Sequence, residues 1–387
     1  MNGFSYVKQY SPMPQKKMIE KLKYTAIRDD VRKMVSYTVT DATGLIKLDA
    51  MENPFQMPME LQSQLAIALA GAALNRYPSP QPKALLNKIR KVMAVPDELD
   101  IILGNGSDEI IAMLCQATAS SQSYIMAPAP TFTMYSVYAQ LAQQRFIEIP
   151  LNHHFEFDLQ AMLNQIQQSK PALIFLSYPN NPTGNLFNDL EIEQIILAAP
   201  HSIVVIDEAY QPFAKQSWLD KAPKFNNVIV VRTFSKLGLA GIRLGWAAGA
   251  PHLLKQIDKV RPPYNVNSLT QICAAFALDH FDIFLKQAEK ICEARDQLRR
   301  AITMGLKLTV YPSAANFLLV KTPYADNVFN DLFQVGILVK NVSRMHEKLQ
   351  NCLRITIGTD EENVKLYEAL AKSIDVNIYS AGSLHAF

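Results

Sequence analysis

Lys236 closes the run Thr233-Phe234-Ser235-Lys236, just after an apolar strand-like segment, Val228-Ile229-Val230-Val231. A lysine at a strand's end, beside small hydroxyl residues, could form a Schiff base with a carbonyl cofactor. The Thr233 and Ser235 hydroxyls could hold a phosphate. Arg243, in Gly241-Ile242-Arg243-Leu244-Gly245, could add a charge-assisted contact to it. Taken alone, the stretch reads more simply as an ordinary loop with a solvated lysine. A second run, Val204-Val205-Ile206-Asp207-Glu208-Ala209-Tyr210, ends in an acid. That puts a carboxylate at the carboxyl end of a strand, where α/β sheets bind ligands. There it could keep a pyridine nitrogen protonated and make the ring a better electron sink. Tyr210 could hydrogen-bond a phenolic oxygen of the same ring. The Asp-Glu ending also fits the magnesium-binding strand of a phosphate-loop ATPase, but the chain lacks the Gly-Lys pair such a loop requires.

Three further stretches could line one site with these. In Gly104-Asn105-Gly106-Ser107-Asp108-Glu109 the glycines permit a tight turn, and the helix that follows offers free N–H groups to an anion. Ser107 or Asp108 could equally be a plain N-cap. A dinucleotide fingerprint fails, because Glu109 stands where its third glycine belongs. Pro179-Asn180-Asn181-Pro182-Thr183-Gly184 is turn chemistry, yet it would leave the Asn181 amide at a strand's carboxyl end. Arg354, in Cys352-Leu353-Arg354-Ile355-Thr356-Ile357-Gly358, could grip a carboxylate or phosphate with two N–H groups, or snorkel from a strand.

Such residues need rigid elements behind them. From about Leu99 to Ala250, short apolar runs alternate with helical patterns, which predicts an α/β domain with a mostly parallel sheet. The expected strands are Ile101–Leu103, Ser123–Ala127, Phe146–Pro150, Ala172–Ser177, Ser202–Ile206, Val228–Val231 and Leu244–Ala248. After Arg261-Pro262-Pro263 the pattern changes. Helical character over Asn267–Met304 precedes β-like runs at Lys307–Tyr311, Asn316–Val320, Gly336–Lys340 and Leu353–Ile357, and a helix ends the chain. That predicts a second, smaller α+β domain.

The 387 residues suit two domains, and 49% hydrophobic with 19% charged residues suits a globular enzyme. A net charge of +3 argues against a nucleic-acid or membrane-surface protein. Lys16, Lys17, Lys21 and Lys23 read as a solvated face or arm. The four cysteines form no C-x-x-C pair, and no H-E-x-x-H occurs, so neither a disulfide framework nor a metal site is expected. His153 and His154 are adjacent and would point apart. The N-terminus does not read as a secretory signal, and the longest apolar run, Leu65–Leu74, is too short to cross a bilayer. A cytoplasmic protein is expected.

In order and spacing, Gly106-Ser107-Asp108-Glu109, Asn181-Pro182-Thr183-Gly184, Asp207 with Tyr210, Ser235-Lys236, Arg243 and Arg354 together resemble the fold-type I aminotransferases. More narrowly, the chain resembles the histidinol-phosphate aminotransferase family from about Val31 to its end. Leu48-Asp49-Ala50-Met51-Glu52-Asn53-Pro54, Arg76-Tyr77-Pro78, Pro130-Thr131-Phe132 and Leu353 through Thr359 support that narrower likeness.

The resemblance implies a large domain, 53–262, with a seven-stranded sheet in an α/β/α sandwich, and a small domain, 263–387. Residues 31–52 would join the small domain and 1–30 would form an arm. It implies pyridoxal 5'-phosphate on Lys236, which also moves the proton. Asp207 would pair with the pyridinium nitrogen, Asn181 and Tyr210 with the phenolic oxygen, and Phe132 would stack on the ring. Ser107, Asp108, Thr233, Ser235 and Arg243 would hold the phosphate, with Tyr77 reaching it from the neighbouring subunit of a homodimer. Arg354, Lys340 and Tyr37 would contact substrate. The implied reaction is transamination of L-histidinol phosphate with 2-oxoglutarate, a step of histidine biosynthesis.

Phe132 replaces a frequent tyrosine, Met51 a frequent asparagine, and Lys340 stands at about the place of a second arginine. Alternatives on the same scaffold are an aromatic amino-acid aminotransferase and a phosphothreonine decarboxylase. A cofactor-binding regulator would need a DNA-binding module that the leading residues do not suggest.

Overall fold

The computed structural model describes residues 26–36, 39–120 and 122–382, with side chains to residue 374. Its contacts divide the chain into Met1–Asp41 and Ala42–Phe387. In the first unit the described residues hold one short helix, Asp29–Lys33, with acids in its first turn and bases in its last, as the helix dipole favours. The N-terminal lysines and Tyr37, expected at the substrate, lie outside the described residues.

The second unit contains two sheets. The strands in chain order are β1 (Ile46–Leu48), β2 (Asp100–Gly104), β3 (Tyr124–Ala129), β4 (Arg145–Pro150), β5 (Leu173–Ser177), β6 (Ile203–Asp207), β7 (Val228–Thr233), β8 (Gly245–Gly249), β9 (Thr309–Val310), β10 (Phe317–Lys321), β11 (Ile337–Asn341) and β12 (Cys352–Thr356). The larger sheet runs β2-β8-β7-β6-β5-β3-β4, and only β8 is antiparallel to its neighbours. All seven strands expected from the sequence are present, each shifted by no more than two residues at either end.

Strands β5 and β7 are buried at every residue, because helices cover both faces of the sheet. One apolar cluster on this sheet includes Ile174, Leu176, Val204, Ile206, Val228 and Val230. A second takes the alternate residues Phe175, Val205, Ile229 and Val231. Period-two alternation thus assigns each strand's residues to opposite layers.

The smaller sheet runs β1-β11-β12-β10-β9. Ile46–Leu48 joins its edge in parallel with Ile337–Val339. The long helix Phe281–Gly305 buries Ile291, Leu298 and Ile302 in the core of this sheet, beside Phe317, Leu318 and Ile355. No helix among the described residues is long and apolar enough to cross a membrane.

Candidate active site

Strands β5, β6 and β7 end side by side, at Ser177, Asp207 and Thr233. Register places Ser177 opposite Asp207, and Thr233 opposite Gly245 at the start of β8. Ser177, Asp207 and Thr233 line a cavity of about 250 Å³ at these carboxyl ends, the usual ligand position in α/β sheets. The neighbouring residues serve the layer behind it. Arg232 Nε donates to Glu208 Oε2 at 2.9 Å, and Glu208 also accepts from Ser217 Oγ and the Trp218 amide. This buried, fully hydrogen-bonded ion pair ties the ends of β6 and β7 to the following loop.

Asp207 is 3% exposed. Its Oδ2 accepts from the Tyr135 hydroxyl at 2.6 Å and its Oδ1 from the Ala209 amide at 3.1 Å. Burial pushes its carboxyl up to about 6, against the pull of those two donors. Among the described residues no cation pairs with it. A buried acid without a counter-ion suits a ligand that brings a positive charge, as a pyridinium does.

Lys236 lines the same cavity, its Nζ donating to the Ala50 carbonyl at 3.0 Å and lying 5.8 Å from the centre of the Tyr210 ring. Burial, aided by the nearby Arg354 charge, lowers its amine to about 8. Roughly a tenth is therefore neutral, and nucleophilic, at pH 7, and about half at pH 8.

A chain of hydrogen bonds crosses the cavity wall. Asn181 Nδ2 meets the Tyr210 hydroxyl at 3.0 Å, and Arg354 Nη1 donates to Asn181 Oδ1 at 2.6 Å. Arg354 Nη2 donates to the Asp49 carbonyl at 2.7 Å, and its guanidinium lies 5.7 Å from the centre of the Phe317 ring. These contacts fix the plane of the guanidinium. Burial raises the Tyr210 hydroxyl well above its usual range, so it stays protonated without a ligand.

Opposite lies a small cradle. Gly106 has φ +83° just before the helix Ser107–Ala117, whose first amides are free of intrahelical partners. Gly245 lies so close that a Cβ there would sit 2.4 Å from the Ser107 nitrogen and 2.5 Å from the Gly106 carbonyl carbon. Arg243 Nη2 is 3.2 Å from Asp108 Oδ2, and the Thr233 and Ser235 hydroxyls are 3.0 Å apart. A helix N-terminus, a guanidinium and two hydroxyls make a donor set suited to a phosphate. The residues therefore fit pyridoxal phosphate at both ends, ring nitrogen and phosphate.

Ser107, Asp108, Phe132, Asn181, Asp207, Tyr210, Thr233, Ser235, Lys236 and Arg243 all line this one cavity. Arg354 reaches it through Asn181. Lys340 stands opposite Arg354 in the β11–β12 register, on the same face of the small sheet. Tyr77 lines no part of the cavity; it is 80% exposed and stacks on Tyr264 with ring centres 4.6 Å apart. Glu52, Ser177 and Tyr135 belong to the site without having been singled out in the sequence.

Met51 has φ +53°, a backbone region that favours asparagine or glycine. Its local polar contacts are nevertheless made by backbone, its amide to Thr356 Oγ1 and its carbonyl from Asn316 Nδ2. A larger groove of about 540 Å³ lies elsewhere, between residues 79–90 and 251–271, and contains none of these groups.

Residues 43–370 match the family model for aminotransferases of class I and II. Histidinol-phosphate aminotransferase 1 of Burkholderia mallei is 53% identical over 344 residues, covering 89% of this chain and 97% of that protein. Histidinol-phosphate aminotransferase of Sinorhizobium meliloti, solved with pyridoxal-5'-phosphate, superposes with a TM-score of 0.81 at 21% identity, covering 91% of this chain and 98% of that one. L-threonine-O-3-phosphate decarboxylase of Porphyromonas gingivalis superposes at 0.74 with 20% identity, covering 86% of this chain and all of that one, and so shares the fold.

Proposed function

This chain belongs to the class I and II aminotransferases, and on that premise we propose that it transfers the amino group of L-histidinol phosphate to 2-oxoglutarate, with pyridoxal phosphate on Lys236. The observation that carries the site assignment is convergence. Residues from six separate stretches of chain meet in one cavity that has a buried acid at one end and an anion cradle at the other. The 53% identity to a histidinol-phosphate aminotransferase along nearly its whole length favours that substrate over aromatic amino acids or O-phosphothreonine.

When bound, the cofactor supplies an aldehyde that takes up the donor's amine and a ring that withdraws electrons from its α-carbon. The rest falls to this chain. Asp207 holds the ring nitrogen protonated. Asn181 Nδ2 and the Tyr210 hydroxyl would serve the ring's phenolic oxygen, and Phe132 would stack on the ring. The Ser107 and Asp108 amides, the Thr233 and Ser235 hydroxyls and Arg243 hold the phosphate.

Lys236 Nζ, neutral for much of the time near pH 8, takes the proton from the substrate's α-carbon. Arg354 grips the substrate anion. A guanidinium already held flat by Asn181 and Asp49 suits the paired oxygens of a phosphate in one half-reaction and a carboxylate in the other. Lys340 adds positive charge on the same face of the sheet.

A homodimer with shared sites is part of the proposal. Met59, Ile67, Leu74 and Tyr77 are exposed apolar side chains within one short segment, and a second copy would cover them. The four free thiols suit a reducing, cytoplasmic setting. Lys236→Ala tests the assignment: the variant should fold, bind the cofactor without the yellow colour of the lysine-linked form, and lose at least about 10³-fold in turnover. Normal turnover in it would refute the role of Lys236.

A further inference from the structure

Tyr135 lies behind the cavity wall and touches two of its faces. It is fully buried in the helix Met134–Leu141, close after Phe132 in the chain. Phe132 lines the cavity and meets the Tyr135 ring edge-on, with centres 5.5 Å apart and planes at 86°. On the other side Phe175 of β5 stacks on Tyr135, centres 4.5 Å apart and planes at 5°. The ring is thus clamped, and its hydroxyl donates to Asp207 Oδ2 at 2.6 Å. The Ala209 amide takes the other carboxylate oxygen. Those two donors set the plane of the carboxylate.

We propose that Tyr135 is a positioning residue for the reaction: its hydroxyl aims the Asp207 carboxylate at the cofactor's ring nitrogen, while its ring sets the tilt of Phe132. The proposal rests on the pyridoxal-phosphate reading of the cavity. Electrostatics agrees with the geometry. Burial drives the Asp207 carboxyl upward, and the Tyr135 hydroxyl is the strongest opposing influence, followed by the Ala209 amide; Asp108 and Glu208 add smaller upward pushes. Burial, and then the Asp207 charge, hold the Tyr135 hydroxyl well above its usual range, so it remains a donor at every working pH. Without it, one oxygen of a buried carboxylate would lose its partner and part of its preference for the charged form.

The test is Tyr135→Phe in the holoenzyme, which keeps the ring and removes the hydroxyl. Cofactor retention on dialysis should weaken roughly tenfold, and kcat should fall roughly tenfold with little change in KM for the amino donor. The pH midpoint of the bound cofactor's yellow band should move upward, because a ring nitrogen held less firmly in its protonated form leaves the Lys236-linked nitrogen more basic. In an Asp207→Asn background the same change should add almost nothing, since the hydroxyl acts through that carboxylate.

Fluorotyrosine at position 135, a stronger donor of nearly the same shape, should move the midpoint the opposite way, and it serves if the phenylalanine variant fails to fold. An unchanged midpoint and kcat, or effects that add in full to those of Asp207→Asn, would overturn the proposal. A yellow wild type with an unaffected Tyr135→Phe removes this inference alone. A wild type that takes up no pyridoxal phosphate removes the functional reading with it.

Discussion

At the scale of single residues the site is built by placing ionisable groups where water cannot reach them. Asp207 shows the cost most clearly. Its carboxyl sits at about 6 in the folded chain, above its value in an unfolded one. A group raised in this way contributes stability that is present at low pH and lost as pH rises through about 6. The cofactor-free protein should therefore melt a few degrees higher as Asp207→Asn than as wild type at pH 8, and the gap should close as pH falls below 6. With pyridoxal phosphate bound the order should reverse, because only the carboxylate can pair with a pyridinium. Thermal melts with and without cofactor, across pH, check both signs.

Asp207 stood out in the sequence because it closes an apolar run, whereas Lys236, five residues past the end of its run, gained its role only from the resemblance. Tyr135 was not, because its partner is 72 positions away and nothing local marks a buried hydroxyl in an apolar helix. Nor could spacing reveal that Met51 takes a left-handed backbone while leaving its polar contacts to main-chain atoms.

Elements matter through how closely they approach one another. The proposed phosphate cradle depends on β8 beginning at a residue without a side chain, hard against Gly106 and Ser107. Gly245→Ala would put a methyl into backbone that cannot give way. It should cost about 2 kcal/mol or more in stability and weaken cofactor retention further, since the Ser107 amide moves. Gly241→Ala, four residues earlier, meets nothing within 4 Å and should change neither. Chemical denaturation of the two variants, alongside cofactor titration, separates a local clash from a general intolerance of larger residues. Several of the seven strands of the large sheet were readable because near-continuous apolar runs mark strands covered on both sides, as in β5 and β7, whereas the edge strand β4 is mostly exposed or half-buried. The edge strand β1 was placed only by resemblance: three residues carry no periodicity, and its partner, Ile337–Val339, lies near the other end of the chain.

In the proposed homodimer each active site would draw on two copies of the chain. Tyr77 lines no part of its own cavity and stacks on Tyr264 with most of its surface exposed. If it completes the partner's phosphate site, Tyr77→Ala and Lys236→Ala subunits combined by co-expression should regain activity that neither shows alone, because each mixed dimer rebuilds one intact site. Unaltered activity of Tyr77→Ala by itself would contradict the shared site. On the proposed reading, substrate choice would rest on Arg354 and Lys340 of the small sheet, of which Arg354 bonds Asn181 just beyond the end of β5 in the large one.

The central claim is best tested by a single-turnover absorbance titration of the yellow enzyme, with histidinol phosphate in one series and phenylalanine or tyrosine in another. The yellow band should be lost fast at low concentrations of histidinol phosphate, with the aromatic amino acids slow and weak. Conversion mainly by the aromatic amino acids would contradict the proposed substrate, and no conversion by any amine would contradict the enzyme.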